Sequence, residues 1–247
     1  MIPGAHPGQQ GSAQKSAWDA PMELNRLGNQ AQLGGLRAGG QEVSGFAMPT
    51  AAPPELSTRR FVVRPFRPDD FDQVVAVVGA NVANLVPAGM APGDQGLPAD
   101  AEAFTEWVDQ IDLLATLDLR YELGCFDDGE LIGGAGLWGV VRGTAQSAFA
   151  AGWVTQARAR DHVGSEGFVA LCRFGFDELH LHRIEAPVLP ENEAVAGVFR
   201  RLALRDAGIE PAYLQVNGTW RDHRRFVITW DDWVARRSAL LDEWGPR

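Results

Sequence analysis

AGWVTQARARDHVGSEGFVAL, residues Ala151 to Leu171, reads as a strand end, a polar turn and the start of a helix. Gly152, Trp153 and Val154 close the strand, and Thr155 to Val163 form the turn. Gly164, Ser165 and Glu166 open the helix. Phe168, Leu171, Cys172 and Phe176 then recur at helical spacing on one face, which predicts a helix over Ser165–His180. A helix start presents unpaired N–H groups and the positive end of the helix dipole, so this turn is a place where an anion can be held.

The flanking pattern extends the reading in both directions. RRFVVRPF (Arg59–Phe66) alternates as a strand with Phe61 and Val63 on one face, and Asp69 and Asp70 cap the helix FDQVVAVVGANVANLV. A Pro/Gly loop, Pro87–Pro98, leads to a helix from Ala99 to Leu119 that carries Phe104, Trp107, Val108, Ile111 and Leu114. Tyr121–Phe126 and Leu131–Val141 form a hairpin over Asp127, Asp128 and Gly129, and Ser147–Val154 is the next strand. Beyond the opening stretch come a strand at Arg183–Leu189 and a helix at Asn192–Arg205. Short strands at Tyr213–Val216 and Phe226–Thr229 flank Asn217 and Gly218, and Asp231 caps a last helix. The order β-α-α-β-β-β-α-β-α-β-β-α predicts a mixed sheet covered by helices, of the α/β or α+β class.

Residues 1–55 differ in kind. They are rich in Gly, Gln, Ala, Ser and Pro, and bury too little apolar area to offset their ordering entropy, so they read as a flexible arm before a domain at 56–247. Trp18, Met22, Leu24 and Leu27 are the residues with which such an arm would anchor on a protein partner. The net charge of −10 argues against nucleic acid or an anionic membrane as the main partner. No run reaches the length of a membrane span, and the N-terminus lacks a signal pattern, so the expected location is cytoplasmic. Cys125 and Cys172 lie among apolar residues without metal-ligand spacing and read as reduced core residues.

Three segments in order carry a resemblance: Gly152–Trp153 before the turn, FGFDELHLHRIEAPVLPEN (Phe174–Asn192), and AYLQVNGTWRDHRRFVIT (Ala212–Thr229). Together they resemble the GNAT superfamily of acyl-CoA-dependent N-acetyltransferases, most closely its ribosomal-protein (RimJ/RimL-like) branch. The resemblance implies a mostly antiparallel central sheet with a V-shaped splay between two parallel strands, here Ser147–Val154 and Arg183–Leu189. Acetyl-CoA would lie in that splay, with the turn wrapping its pyrophosphate. Trp153, Val154, Arg158, Arg160, Gly164 and Asn192 are the implied cofactor-binding positions, and the family leaves a homodimer open.

The turn departs from the family's pattern. Its two glycine positions fall on Arg160 and His162, Ala157 stands at the leading Gln/Arg position, and Asp161 adds negative charge where a pyrophosphate is expected. The serine expected after Asn192 is Val195, the Leu-Gly-Phe that follows reads Leu202-Ala203-Leu204, and a frequent carboxylate on the strand before the turn falls on Phe149. Arg158 and Arg160 could replace main-chain phosphate contacts with side-chain ones. His162 is a candidate base or a solvated loop histidine, and Tyr213 a candidate proton donor or a groove-lining ring. Asp222–His223 reads as a structural pair, and His180 and His182 lack a third metal ligand, so no metal is expected. The losses at both cofactor and proton-transfer positions favour a catalytically weak or inactive binding or assembly module. The alternative is an active enzyme moving acetyl from acetyl-CoA to a primary amine, and a third reading is some other ligand in the strand gap.

Overall fold

The computed structural model describes residues 55–85 and 98–246. The arm positions Trp18, Met22, Leu24 and Leu27, and most of the Pro87–Pro98 loop, lie outside the described residues. The elements run β1 (Leu56–Ser57), β2 (Val62–Pro65), α1 (Phe71–Leu85), α2 (Ala101–Thr116), β3 (Arg120–Asp127), β4 (Glu130–Val141), β5 (Ser147–Val154), α3 (Val163–Arg173), β6 (Arg183–Val188), α4 (Glu193–Arg201), β7 (Arg205–Val216), β8 (Thr219–Thr229) and α5 (Trp230–Trp244). Among the described residues, one sheet holds eight strands in the order β1-β2-β3-β4-β5-β6-β8-β7. Every neighbouring pair is antiparallel except β5 and β6, so the sheet is mixed and mostly antiparallel, as expected.

Period-two alternation decides which side of the sheet each residue serves. Tyr121 and Leu123 on β3, Ala148 and Ala150 on β5, and Ile184, Ala186 and Val188 on β6 enter the main core with Phe168 and Leu171 of α3, Phe199 of α4 and Trp233 of α5. Both cysteines are buried and unpaired there, and burial pushes the Cys125 thiol up to about 12. The opposite side carries a smaller core. Phe66, Phe126 and Leu131 meet Val74, Val78 and Leu85 of α1 and Phe104, Val108 and Ile111 of α2, with Trp107 and Trp153 against it.

Three polar networks fix the corners. Asp118, buried at the end of α2, accepts from Arg142 Nε (2.5 Å), Arg142 Nη2 (2.8 Å) and the Tyr121 hydroxyl (2.7 Å). Asp70 does not cap α1 directly. It ends a single 3-10 turn and accepts both guanidinium nitrogens of Arg64 at 2.8 Å and the Arg67 N–H at 2.8 Å. Glu166, 1% exposed, accepts from the Thr58 hydroxyl (2.7 Å), the Arg60 N–H (2.7 Å) and Arg60 Nε (2.8 Å), tying the β1–β2 turn to the start of α3.

Some boundaries differ from the sequence reading for identifiable reasons. The first long strand begins at Val62 because Thr58–Phe61 form a turn, Thr58 N–H donating to Phe61 O at 3.0 Å. The helix expected to reach His180 is α-helical only to Arg173 and continues as a wider turn through Phe174–Glu178. The helix expected to reach Arg205 stops at Arg201, because Ala203 turns to φ 50 and the Leu204 N–H closes back on Phe199 O at 2.9 Å. The last hairpin is far longer than the short strands expected: β7 starts at Arg205 and β8 at Thr219.

Candidate functional site

β5 and β6 are hydrogen-bonded only over Ser147–Phe149 and Arg183–Glu185. Beyond Phe149 the two strands have no shared ladder, while β5 stays paired with β4 through to Val154. A gap therefore opens between Ala150–Val154 and Ala186–Val188, edged on the β5 side by main-chain groups that a parallel neighbour would otherwise take. Both strands run from this gap into helix starts, β5 into α3 and β6 into α4. Asn192 caps α4, its side chain accepting from the Val195 N–H at 3.2 Å. The first turn of α3 has no side-chain cap.

The turn between β5 and α3 is held from three sides. Asn81 of α1 accepts the Gln156 N–H at 2.8 Å, and the Thr155 N–H donates to Ile132 O at 2.9 Å. Arg158 lies between two carboxylates, Nη2 2.7 Å from Asp127 and Nε 2.8 Å from Asp161. Arg60 reaches the Asp161 carbonyl through Nη2. His162 takes φ 59, the left-handed conformation a glycine at this position would adopt freely, and its Nδ1 accepts from Arg201 Nη1 at 2.8 Å. Its ring lies 5.7 Å from that of Trp244. Arg160 is exposed, and Gly164 sits where α3 approaches Val198 of α4.

Residues on the other side of the sheet form an open, shallow cleft between α1, α2 and strands β3–β5. Phe66, Trp107, Trp138 and Trp153 wall it, and Gly134, Gly136 and Gly152 lie in its floor. A Cβ on Gly134 would stand 2.5 Å from Trp153 Nε1, so the indole lies flat on that floor only because the residue is glycine. Glu122 faces the cleft with Oε2 2.6 Å from Arg120 Nη2, and the Arg120 guanidinium stacks 4.2 Å over Trp138. Burial lifts the Glu122 carboxyl above the usual carboxylate range, with Arg120 working against it. Farther along the same face, Glu185 meets Arg183 Nε at 2.7 Å and Arg225 Nε at 3.2 Å.

The named site residues thus fall into two groups. Val154, Arg158, Arg160, His162, Gly164 and Asn192 belong to the gap's open end and its two helix starts, whereas the Trp153 ring lines the cleft. Tyr213 stands edge-on to Phe149 at 6.2 Å with Arg225 over its ring, on the cleft side of the sheet. His162 is on the α3 side, so the fold does not bring these two together. Burial raises the Tyr213 phenol above its usual range, keeping it a proton donor. Asn81, Arg60 and Glu122 were not singled out from the sequence. Their strand and helix patterns mark them only as polar positions, and their roles depend on partners 106, 101 or 75 residues away, or on the cleft that α1 and α2 complete. Among the described residues, no three or more His, Cys, Asp or Glu side chains gather as a metal site would require, and no helix is long and apolar enough to cross a membrane.

Residues 60–205 match the family model described as the acetyltransferase (GNAT) domain. The chain is 27% identical over 177 residues to the probable N-acetyltransferase YjcK of Bacillus subtilis, covering 70% of this chain and 96% of that protein. It is 31% identical over 111 residues to the ribosomal protein uS5-alanine N-acetyltransferase of Escherichia coli, a match spanning 45% of this chain and 57% of that enzyme. Among solved structures, Mycobacterium smegmatis RimJ in complex with CoA-disulfide superposes with a TM-score of 0.70 at 24% identity, over 77% of this chain and 94% of that one. With its splayed β5–β6 pair and this match across more than half its length, the chain belongs to the GNAT acetyltransferase family and is related to ribosomal-protein N-acetyltransferases.

Proposed function

We propose that this protein is an N-acetyltransferase that takes acetyl from acetyl-CoA and passes it to a primary amine, on a small molecule or at a protein N-terminus, in the cytoplasm. The observation that carries the reading is the position of the gap. The β5–β6 splay leaves the β5 edge without a partner strand beyond Phe149, so a thioester entering between the strands would lie along Ala150–Val154, whose Ala151 and Trp153 also line the cleft on the other side of the sheet from α3. CoA-bound relatives and the E. coli enzyme's alanine acceptor support the donor and the acceptor class.

The residues around the gap fit such a donor in part. Uncapped N–H groups at the start of α3 and the left-handed backbone at His162 suit a diphosphate, and main-chain N–H groups of β5 can bind the oxyanion that forms as the amine attacks. Bound acetyl-CoA would supply an electrophilic thioester carbonyl and a thiolate leaving group. Tyr213, edge-on to Phe149 on the cleft side, is the candidate we assign to hand a proton to that thiolate.

One observation favours a second reading, a GNAT-fold binding module without catalysis that attaches through the 1–55 arm. Arg158 is already neutralised by Asp127 and Asp161, which withdraws one of the turn's two arginines from an anion. Two measurements separate the readings. Acetyl-CoA should raise the melting temperature by mass action, and thiol should be released when a peptide or alkyl amine is added. No shift at millimolar acetyl-CoA would rule out the enzyme reading.

A further inference from the structure

We propose that Asn81 is a positioning residue for the turn between β5 and α3, and that through it the helix walling the cleft becomes ordered together with that turn when acetyl-CoA binds. This rests on the reading of the gap as the acetyl-CoA site above. Asn81 lies in α1, 75 residues before the group it holds.

Its place on the helix breaks an apolar pattern. Val74, Val78, Asn81 and Leu85 recur at helical spacing on one face of α1, and each is buried. Val74, Val78 and Leu85 line the cleft with Phe66, Trp107 and Trp153. A leucine at 81 would continue the stripe, so the amide is there for its hydrogen bonds. Nδ2 donates to Val77 O, one turn back, at 2.7 Å, and Oδ1 accepts the Gln156 N–H at 2.8 Å. Reversing the amide would set two donors and two acceptors against each other, which fixes its orientation.

The second bond falls where the chain leaves the sheet. Pairing of β5 with β4 ends at Val154, so the Gln156 N–H lies past the ladder and takes its partner from α1 instead. The Thr155–Gln156 peptide is held from both sides. Its N–H goes to Asn81, and its carbonyl accepts the Arg158 N–H at 3.0 Å, closing the 3-10 turn Gln156–Arg158. Asn81 therefore sets the direction in which the main chain enters the turn that leads to His162 and the uncapped start of α3. Near the other end of α1, Gln73 accepts the Leu131 N–H at 2.9 Å and donates to Gly129 O at 3.1 Å. The helix is thus tied to the β3–β4 hairpin at Gln73 and to the turn at Asn81, with Val74 and Val78 between the two ties.

A diphosphate bound at the turn keeps only those chain directions that leave main-chain N–H groups aimed at its oxygens. That restriction passes through one planar peptide and one side chain into the helix. By linkage, a ligand packed against Val74 and Val78 restricts the turn in return. Trp153, two residues before Thr155, lines the same cleft, so the route from cleft to turn is short on the strand side as well.

The test is hydrogen–deuterium exchange with coenzyme A as the only ligand, on the full-length wild type, Asn81→Ser, Asn81→Asp and Gln73→Ala, each at about ten times its own Kd. Serine can still bond Val77 O but is too short to reach Gln156, whereas aspartate keeps an acceptor there. Gln73→Ala loosens the opposite end of the same helix and leaves the turn untouched. In the wild type, coenzyme A should slow exchange at least about threefold at residues 160–166 and also at residues 78–85. Asn81→Ser should bind coenzyme A about three- to tenfold more weakly and show the slowing at 160–166 alone. Asn81→Asp and Gln73→Ala should keep it in both places. No slowing at 78–85 in the wild type, slowing there or an unchanged Kd in Asn81→Ser, or its loss in Gln73→Ala would overturn the role of Asn81 and leave the acetyl-CoA site standing. A wild type with no slowing at 160–166 overturns both.

Discussion

Arg201 Nη1 donates to His162 Nδ1 across 2.8 Å, so the end of α4 is fastened to the turn that precedes α3. This contact lies at the open end of the β5–β6 gap, and it draws the imidazole towards Arg201 and Trp244. His162 meanwhile holds φ 59, a conformation that costs a residue with a Cβ about 1 kcal/mol. His162→Gly should therefore raise stability by about 1 kcal/mol by relaxing the backbone, and should tighten acetyl-CoA binding by several-fold by clearing the imidazole from the turn. Isothermal titration of both proteins reads this directly, and weaker binding by the variant would mean that the imidazole helps to hold the donor.

Asp161 has a separate electrostatic role. It occupies Arg158 from within the turn and adds a negative charge beside the expected diphosphate. Asp161→Asn should raise acetyl-CoA affinity about three- to tenfold at low salt, with the gain shrinking as ionic strength approaches 1 M, where the screening length falls to about 3 Å. A gain insensitive to salt would point to a steric cause instead.

The Arg64–Asp70 pair should leave a signature in acid. Burial opposes ionisation of Asp70, but the two Arg64 hydrogen bonds and the Arg67 N–H outweigh it and hold the carboxyl below its usual range. Because the folded pKa is the lower one, the pair's stabilisation is complete above the unfolded value of 3.8 and is lost as pH falls through the folded value. Asp70→Asn should cost about 3 kcal/mol near neutral pH, and this gap should begin to narrow, by at most about 1 kcal/mol, between pH 4 and pH 3. Urea unfolding at pH 7 and pH 3 checks both parts.

Ala203 offers a test in the opposite direction. It ends α4 at φ 50, the position where a glycine is the ordinary helix stop, while Arg236 Nη1 donates to its carbonyl at 2.9 Å. Ala203→Gly should stabilise the fold by about 0.5–1 kcal/mol, seen as a higher melting temperature. A lower one would show that the Cβ contributes packing that outweighs the strain.

The sheet's inner strands were legible because each is buried on at least one side. Val63, Leu123, Ala148 and Ile184 repeat at period two, and that repeat survives any local context. β7 was not legible. From Arg205 to Ala212 all eight residues are exposed, including Gly208 and Pro211, and register shifts at Asp206/Ile209 and Glu210/Leu214 break the alternation. It is held at the sheet edge by pairing with β8 and by ion pairs such as Arg224–Asp206 and Arg225–Glu210, none of which leaves a local pattern. The long helix expected through His180 failed for a related reason. Helical spacing persists through Phe176, and only the packing of Phe176 against Trp233 and the Leu181 N–H bond to Gly175 O set where the α-helix gives way.

The family, the mixed sheet and the altered turn were written in the chain itself, because hydrophobic period, glycine placement and short motifs are properties of neighbours in sequence. Which carboxylate faces the cleft, what neutralises Arg158 and where the imidazole of His162 goes were decided only in three dimensions. Those answers depend on strand register and on groups tens of residues apart, and charge and hydrogen bonding act through space over a few ångströms irrespective of position along the chain.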